Sequence, residues 1–251
     1  MRDGFKMRNI KMIVSYDGSR YNGWQRQKNS PNTIQELIEN VIHDCIKEKV
    51  TIISSGRTDA GVHAYGQVIN FNVQSTLPLK EIQRVINIAL PNDIAIKSIE
   101  EVGERFHSRY NAKSKIYVYK ILNSDVHDPF IRKYAYYCPH DLDIEKMKRA
   151  ARLFIGQHNF NGFSSAKASN KSTERIIYSL DIVQNGEEIE ISYHGNGFLY
   201  NMVRIMTGTL IEIGLRKLPE DVITTALKTG ERQVAGYTAP PHGLVLAEVK
   251  Y

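Results

Sequence analysis

Cysteine is scarce: Cys45 and Cys138 are the only two, far apart and in no paired motif. That excludes a disulfide-stapled scaffold and reads as two reduced, buried thiols in a cytoplasmic protein. No apolar run approaches the roughly 20 residues a membrane helix needs. Met1 to Arg8 is polar and charged, without the apolar core of a secretion signal. Met7 is a candidate second start, with Met1 to Lys6 a loose extension. The eight histidines show no His-Glu-x-x-His or Cys-x-x-Cys spacing, so no metal site is expected. Gly195-Asn196-Gly197 has Tyr200 where a dinucleotide fingerprint needs glycine, and no Lys-Ser/Thr follows a glycine loop. There is no nucleophile-elbow serine, no credible Cys/His pair and no sequence repeat.

What remains is a basic chain of ordinary composition. Its 251 residues suffice for one large or two modest domains. Net charge is +6, and mean hydropathy is −0.36. Divided at Tyr110, each half carries +3, so there is no basic tail. Two stretches contain no acid: Arg105 to Ser124, and Lys146 to Thr173. Cations interleaved with aromatics there suit phosphate contact plus base stacking, although a solvated face would look the same.

Apolar patterning gives the elements. Ile10 to Tyr16 reads as a strand running into an Asp17-Gly18 turn. A polar loop follows, carrying Arg26, Lys28 and the single tryptophan, Trp24, which is expected to pack beneath it. Thr33 and Glu36 predict a capping box opening a helix, with Ile34, Leu37, Ile38, Val41, Ile42, Cys45 and Ile46 on one stripe. Val50 to Ile53 and Gln67 to Val73 are strands, Leu79 to Leu90 a helix, Ile94 to Val102 a strand. This β-α-β-β-α-β order is the split βαβ, ferredoxin-like unit. The second half partly repeats it: strand Ile116 to Leu122, helix Asp143 to Ile155, a long loop Gly156 to Thr173, and a hairpin across Asn185-Gly186. A helix from Gly197 to Ile213, a short helix Pro219 to Lys228 and a strand Leu244 to Val249 complete the chain.

The stretch between the second and third strands, Ser54 to Gly66, is where chemistry concentrates. It holds Arg57, Asp59 and three glycines, Gly56, Gly61 and Gly66. A lone Asp in a turn ordinarily bonds its own backbone. The other reading is an ionised carboxylate acting as a nucleophile, which divides a difficult substitution into two easier steps. Such a group in a closed site needs a cation, and Arg204, on the apolar stripe of its helix, is the candidate. Pairing of Arg204 with Glu212 or Glu174 is the alternative. Thr58-Asp59-Ala60-Gly61 is only superficially like an aspartic protease, since Ala60 lacks the hydroxyl and no second motif exists. A non-catalytic RNA-binding module is the rival of a different class, but no Lys/Arg-Gly-Phe-Gly-Phe run is present.

The motifs together resemble the tRNA pseudouridine synthase A (TruA) family along almost the whole chain. They are Tyr16-Asp17-Gly18, Gly23-Trp24-Gln25, Thr33-Ile34-Gln35, Gly56 to Ala64 and Gly66-Gln67-Val68. Later come Phe106-His107-Ser108-Arg109, Lys115 to Tyr119, Asn201 to Arg204 and Ala239 to Leu246. The resemblance implies an α+β fold of two ferredoxin-like (split βαβ, RRM-like) halves with antiparallel sheets and a catalytic cleft between them. The halves are set at 1–110, carrying the catalytic Asp, and 111–251. It implies isomerisation of uridine to pseudouridine in the anticodon stem-loop of tRNA, at tRNA positions 38, 39 and 40, by base flipping and without cofactor. A cytoplasmic homodimer whose tRNA touches both subunits follows. By resemblance Asp59 is the nucleophile, Tyr117 stacks on the target base, and Arg204 pairs with Asp59. Arg57 helps extrude the base, and Leu244 lines the uracil pocket. Arg26, Arg109, Lys167 and Lys171 are the expected RNA contacts, and no metal or membrane partner is implied.

Overall fold

A computed structural model describes residues 7–27, 30, 32–166 and 172–251. The chain divides into two compact units, Met1–Lys113 with Leu246–Tyr251, and Ser114–Val245. The halves expected from sequence met at residue 110. Among the described residues there are five α-helices and ten strands, a mixed α+β architecture.

In the first unit, β1 (Arg8–Tyr16) lies between β3 (His63–Val73) and β4 (Ile94–Val102), antiparallel to both. The short β2 (Ile53–Ser54) pairs with the other side of β3. Ile10, Met12, Val14 and Tyr16 alternate into the core, the two-residue period of a half-buried strand. Helices α1 (Ile34–Ile46) and α2 (Leu79–Ala89) pack on one another, burying Ile34, Ile38, Ile42, Ile82 and Ile86. Trp24 is 1% exposed, packed beneath its loop as its place in a polar stretch led us to expect.

Two expectations here require correction. Thr33 does stand at the N-cap of α1, but its hydroxyl makes no cap hydrogen bond and is buried with no hydrogen-bond partner among the described residues. The carbonyls of Gly23 and Trp24 take the N–H groups of Ile34 and Gln35 instead, so the helix start is satisfied by tertiary contact. The strand expected over Val50 to Ile53 shrinks to Ile53–Ser54, the two residues in ladder register with β3.

In the second unit, β5 (Ser114–Asn123) pairs antiparallel with β9 (Glu188–Gly195), which pairs with β8 (Glu174–Asn185) across Gly186 at φ +61°. A short β6 (Tyr136–Cys138) runs parallel to β5, and β7 (Gly156–Asn159) borders β8. Helices α3 (Ile144–Ala151) and α4 (Met202–Gly214) pack together, and α5 (Val222–Thr229) follows. The Tyr193 and Thr207 hydroxyls share a 2.7 Å hydrogen bond that ties β9 to α4. The segment expected to be loop from Gly156 thus begins as a strand, continuing through a 3-10 turn at Asn161–Phe163. Phe154, Phe160 and Phe163 bury their rings in one cluster, which is why this stretch is ordered. Helix α4 begins at Met202 rather than Gly197, since Asn201 takes a left-handed conformation that breaks the helical run. The closing strand β10 (Leu244–Lys250) passes from the second unit to the first, where Ala247 lies against Gly66 of β3.

Candidate active site

In the first unit the residues from Ser55 to Val62 form a turn held at nearly every step. Ser55 N–H donates to Val68 O at 2.8 Å, and the Ser55 hydroxyl donates to Gln67 Oε1 at 2.6 Å. Gln67 returns its amide to Gly56 O at 3.0 Å. Thr58 is buried, sharing a 2.7 Å hydrogen bond with the Tyr16 phenol. Burial pushes the Tyr16 phenol well above the usual tyrosine range, so it stays neutral. Trp24 N–H donates to Thr58 O at 3.0 Å, and Val62 N–H to Asp59 O at 3.1 Å. Gly61, at φ +79°, occupies the third position of that last turn.

The loop after β1 is the other wall of this cradle. Gly18 N–H donates to His63 Nδ1 at 3.0 Å. A Cβ on Gly18 would sit 2.0 Å from Val62 O, and one on Gly23 (φ +85°) 2.9 Å from Thr58 O. The Tyr16-Asp17-Gly18, Gly23-Trp24 and Gly56-to-His63 motifs are therefore one structural unit, in which glycine allows backbone to meet backbone. Its product is a fixed Asp59, half-buried, two residues from the exposed Arg57. Fixing the backbone on both sides leaves the carboxylate little freedom beyond its own rotamer.

The second unit joins the later motifs in the same way. Tyr117 lies on β5 opposite Tyr193 of β9 and is 8% exposed. The Phe198 ring meets it edge-on at 5.2 Å. Two residues along the same strand, the Tyr119 phenol donates to Pro240 O at 2.8 Å. Burial also raises the Tyr119 phenol, keeping it a donor. Arg204, in the first turn of α4, donates from Nε to Ala239 O at 2.8 Å and from Nη1 to Asn201 Oδ1 at 2.9 Å. Ala239 N–H donates back to Arg204 O at 3.0 Å. Leu244, at the start of β10, is 4% exposed. Tyr117, Arg204 and Leu244 are thus linked through β5, Pro240 and Ala239. Glu212, the alternative partner for Arg204, accepts Tyr237 N–H at 3.2 Å.

The expected RNA contacts fare differently. Arg26 hydrogen-bonds Glu39, whose side chain is 6% exposed, and approaches Glu36 at 4.0 Å. Much of its charge is therefore answered within the protein. Arg109 is exposed on the connector before β5. Lys167 and Lys171 lie outside the described residues. Thr58 and Asn201 stood within the recognised motifs but were given no role of their own. The three-residue spacing of Asn201 and Arg204 at a helix start was the available signal for the second. Among the described residues no three His, Cys, Asp or Glu side chains gather as a metal site.

A family model described as tRNA pseudouridine synthase matches residues 12–111 and 150–251. The chain belongs to the tRNA pseudouridine synthase family. Its activity is accordingly that of an isomerase acting on tRNA. Curated relatives of this synthase align over its full length. The tRNA pseudouridine synthase A of Bacillus sp. (strain KSM-64) is 46% identical over 98% of this chain and 100% of its own. The tRNA pseudouridine synthase A of Thermoanaerobacter sp. (strain X514) is 44% identical, and the tRNA pseudouridine synthase A 2 of Bacillus anthracis 43% identical, with the same coverage. Such coverage brings both units of the synthase into the alignment. The first-unit turn and the second-unit network are therefore features of a single enzyme.

Proposed function

We propose that the chain converts uridine to pseudouridine in the anticodon stem-loop of tRNA, at tRNA positions 38, 39 and 40, with Asp59 as nucleophile. The observation that carries this reading is the immobilised turn that presents Asp59, half-buried, beside the exposed Arg57 in a chain of this family. The two units are read as ferredoxin-like halves meeting at a catalytic cleft. In the first unit, the arrangement of β4, β1 and β3, with β2 on β3, supports that reading.

The isomerisation breaks the bond from N1 to the sugar C1′ and forms one from C5 to C1′. The proton on C5 is lost, and N1 gains one. A stem base must leave its stack first, at a cost of a few kcal/mol. Arg57 occupies the vacated space while Asp59 attacks the sugar C1′ or the base C6. Arg204 pairs with Asp59 and keeps it ionised away from water. Tyr117 stacks on the uracil, and Leu244 lines its pocket. Arg26, Arg109, Lys167 and Lys171 contact phosphates, which select the tRNA by shape rather than base edges. The enzyme works as a cytoplasmic homodimer, consistent with two free thiols.

Tritium release from C5-labelled uridine in bulk tRNA tests the reading directly. The wild-type chain releases the label, and Asp59→Asn abolishes release while tRNA affinity stays within a few-fold. Turnover near wild type in Asp59→Asn would refute the nucleophile.

A further inference from the structure

We propose that His107 and Tyr110 form a preassembled step on which an unpaired base of the tRNA, other than the reacting uridine, stacks. The inference rests on the reading of the chain as a tRNA-binding synthase. Tyr110 is 80% exposed, yet its ring is not loose: it stacks on His107 with centroids 4.2 Å apart and planes 28° from parallel. One ring face is covered, and the other is open to solvent. The His107 ring is held in turn, because its Nδ1 accepts the N–H groups of Arg109 and Tyr110, each at 3.2 Å. Asn111 closes the turn, its Oδ1 accepting His107 N–H at 2.7 Å and its N–H donating to His107 O at 3.0 Å.

The step is bolted to the sheet by a buried amide network. Ser108 is fully buried, and its N–H and hydroxyl both donate to Asn70 Oδ1 of β3, at 2.8 and 2.6 Å. Asn70 donates to Asn9 Oδ1 of β1 at 2.9 Å, and Asn9 donates to Gly103 O and Phe106 O at 3.1 and 2.9 Å. The Tyr251 phenol donates to Ser108 O at 2.7 Å. A platform fixed in this way takes a base without the entropy of ordering a loop.

Charge decides what it takes. Arg105, Arg109 and Lys113 surround Tyr110 in sequence and are exposed. Among the described residues none of the three is in an ion pair, and no acid occurs from Arg105 to Ser124. Free cations beside an open aromatic face match a phosphate backbone carrying an unstacked base, the arrangement used for single-stranded nucleic acid.

The test uses the full chain, an unmodified tRNA transcript, and equilibrium binding over a range of salt concentrations. Tyr110→Ala is expected to weaken binding by roughly tenfold at every salt concentration, with the salt slope unchanged. Its single-turnover tritium release at saturating tRNA should match wild type. Tyr110→Phe should bind within about twofold of wild type, since it keeps the stacking face. Arg109→Ala should instead lower the salt slope by about one counterion. Wild-type affinity in Tyr110→Ala overturns the step while leaving the synthase reading intact. Equal weakening in Tyr110→Phe and Tyr110→Ala also overturns it, because the phenol would then be acting as a hydrogen-bonding group. A wild-type chain that neither binds tRNA nor releases tritium overturns both.

Discussion

Tyr117 and Asp59 ask different things of their surroundings. Asp59 needs a backbone that cannot drift, and it has one: Thr58 and Val62 on either side are each hydrogen-bonded or buried. The Tyr117 ring is held by the edge-on Phe198 contact and by the pairing of β5, as the proposed stacking on a base would require. Its phenol is a separate matter, because stacking and removal of the C5 proton use different parts of the side chain. Tyr117→Phe is expected to preserve tRNA affinity and lower turnover, measured as binding against single-turnover tritium release. Unchanged turnover would assign Tyr117 to stacking alone. Arg204 was legible as an arginine on an apolar helical stripe. Its contacts with Asn201 and Ala239 were not, since they depend on the left-handed turn ahead of α4 and on a segment 35 residues away.

At the scale of elements, helix α4 and the segment Tyr237–Ala239 behave as one piece. A Cβ on Gly208 would lie 1.9 Å from Tyr237 O and 3.3 Å from Ala239 N, so the helix can approach this closely only at glycine. Gly208→Ala should lower stability by about 1–3 kcal/mol, the usual range for overpacking. The displacement pulls Ala239 from Arg204, so tritium release should fall more than tRNA affinity does. Urea midpoints and turnover measured together check it; wild-type values in both would contradict the close packing. Elements were readable where one period dominated: the alternation of β1 and the Asn185-Gly186 turn form as expected, and the stripe of α1 does so through Ile34, Ile38, Ile42 and Ile46, with Leu37, Val41 and Cys45 only half-buried. The Thr33 cap and the strand at Gly156–Asn159 were not readable. In the first, carbonyls from another loop replaced a local side chain; in the second, an aromatic cluster ordered a polar stretch.

For the whole molecule, the net charge of +6 is divided equally in sequence, +3 before and +3 after the division at Tyr110. Binding of a tRNA should therefore depend on many modest contacts. Lys167 and Lys171 belong to an acid-free stretch, and their joint replacement by alanine should flatten the salt dependence of tRNA binding by roughly two counterions. An unchanged slope would leave them as solvated cations. Sedimentation velocity should give about twice the 28.6 kDa chain mass if the enzyme is a homodimer. A species at the chain mass under assay conditions would contradict that assembly.

The order of motifs along the chain was enough, without coordinates, to determine the family and the main periodic elements, and it singled out Asp59 as the carboxylate to test. Local residue type and short-range spacing carry those signals. The tertiary structure alone decided how the motifs interlock: Gly18 and Gly23 beneath the Asp59 turn, Ala239 on Arg204, and Asn9 with Asn70 under Ser108. Each of these is a contact between residues distant in sequence, and such contacts leave no period to read. They exist because a buried amide or carbonyl must find a partner wherever the packed chain brings one.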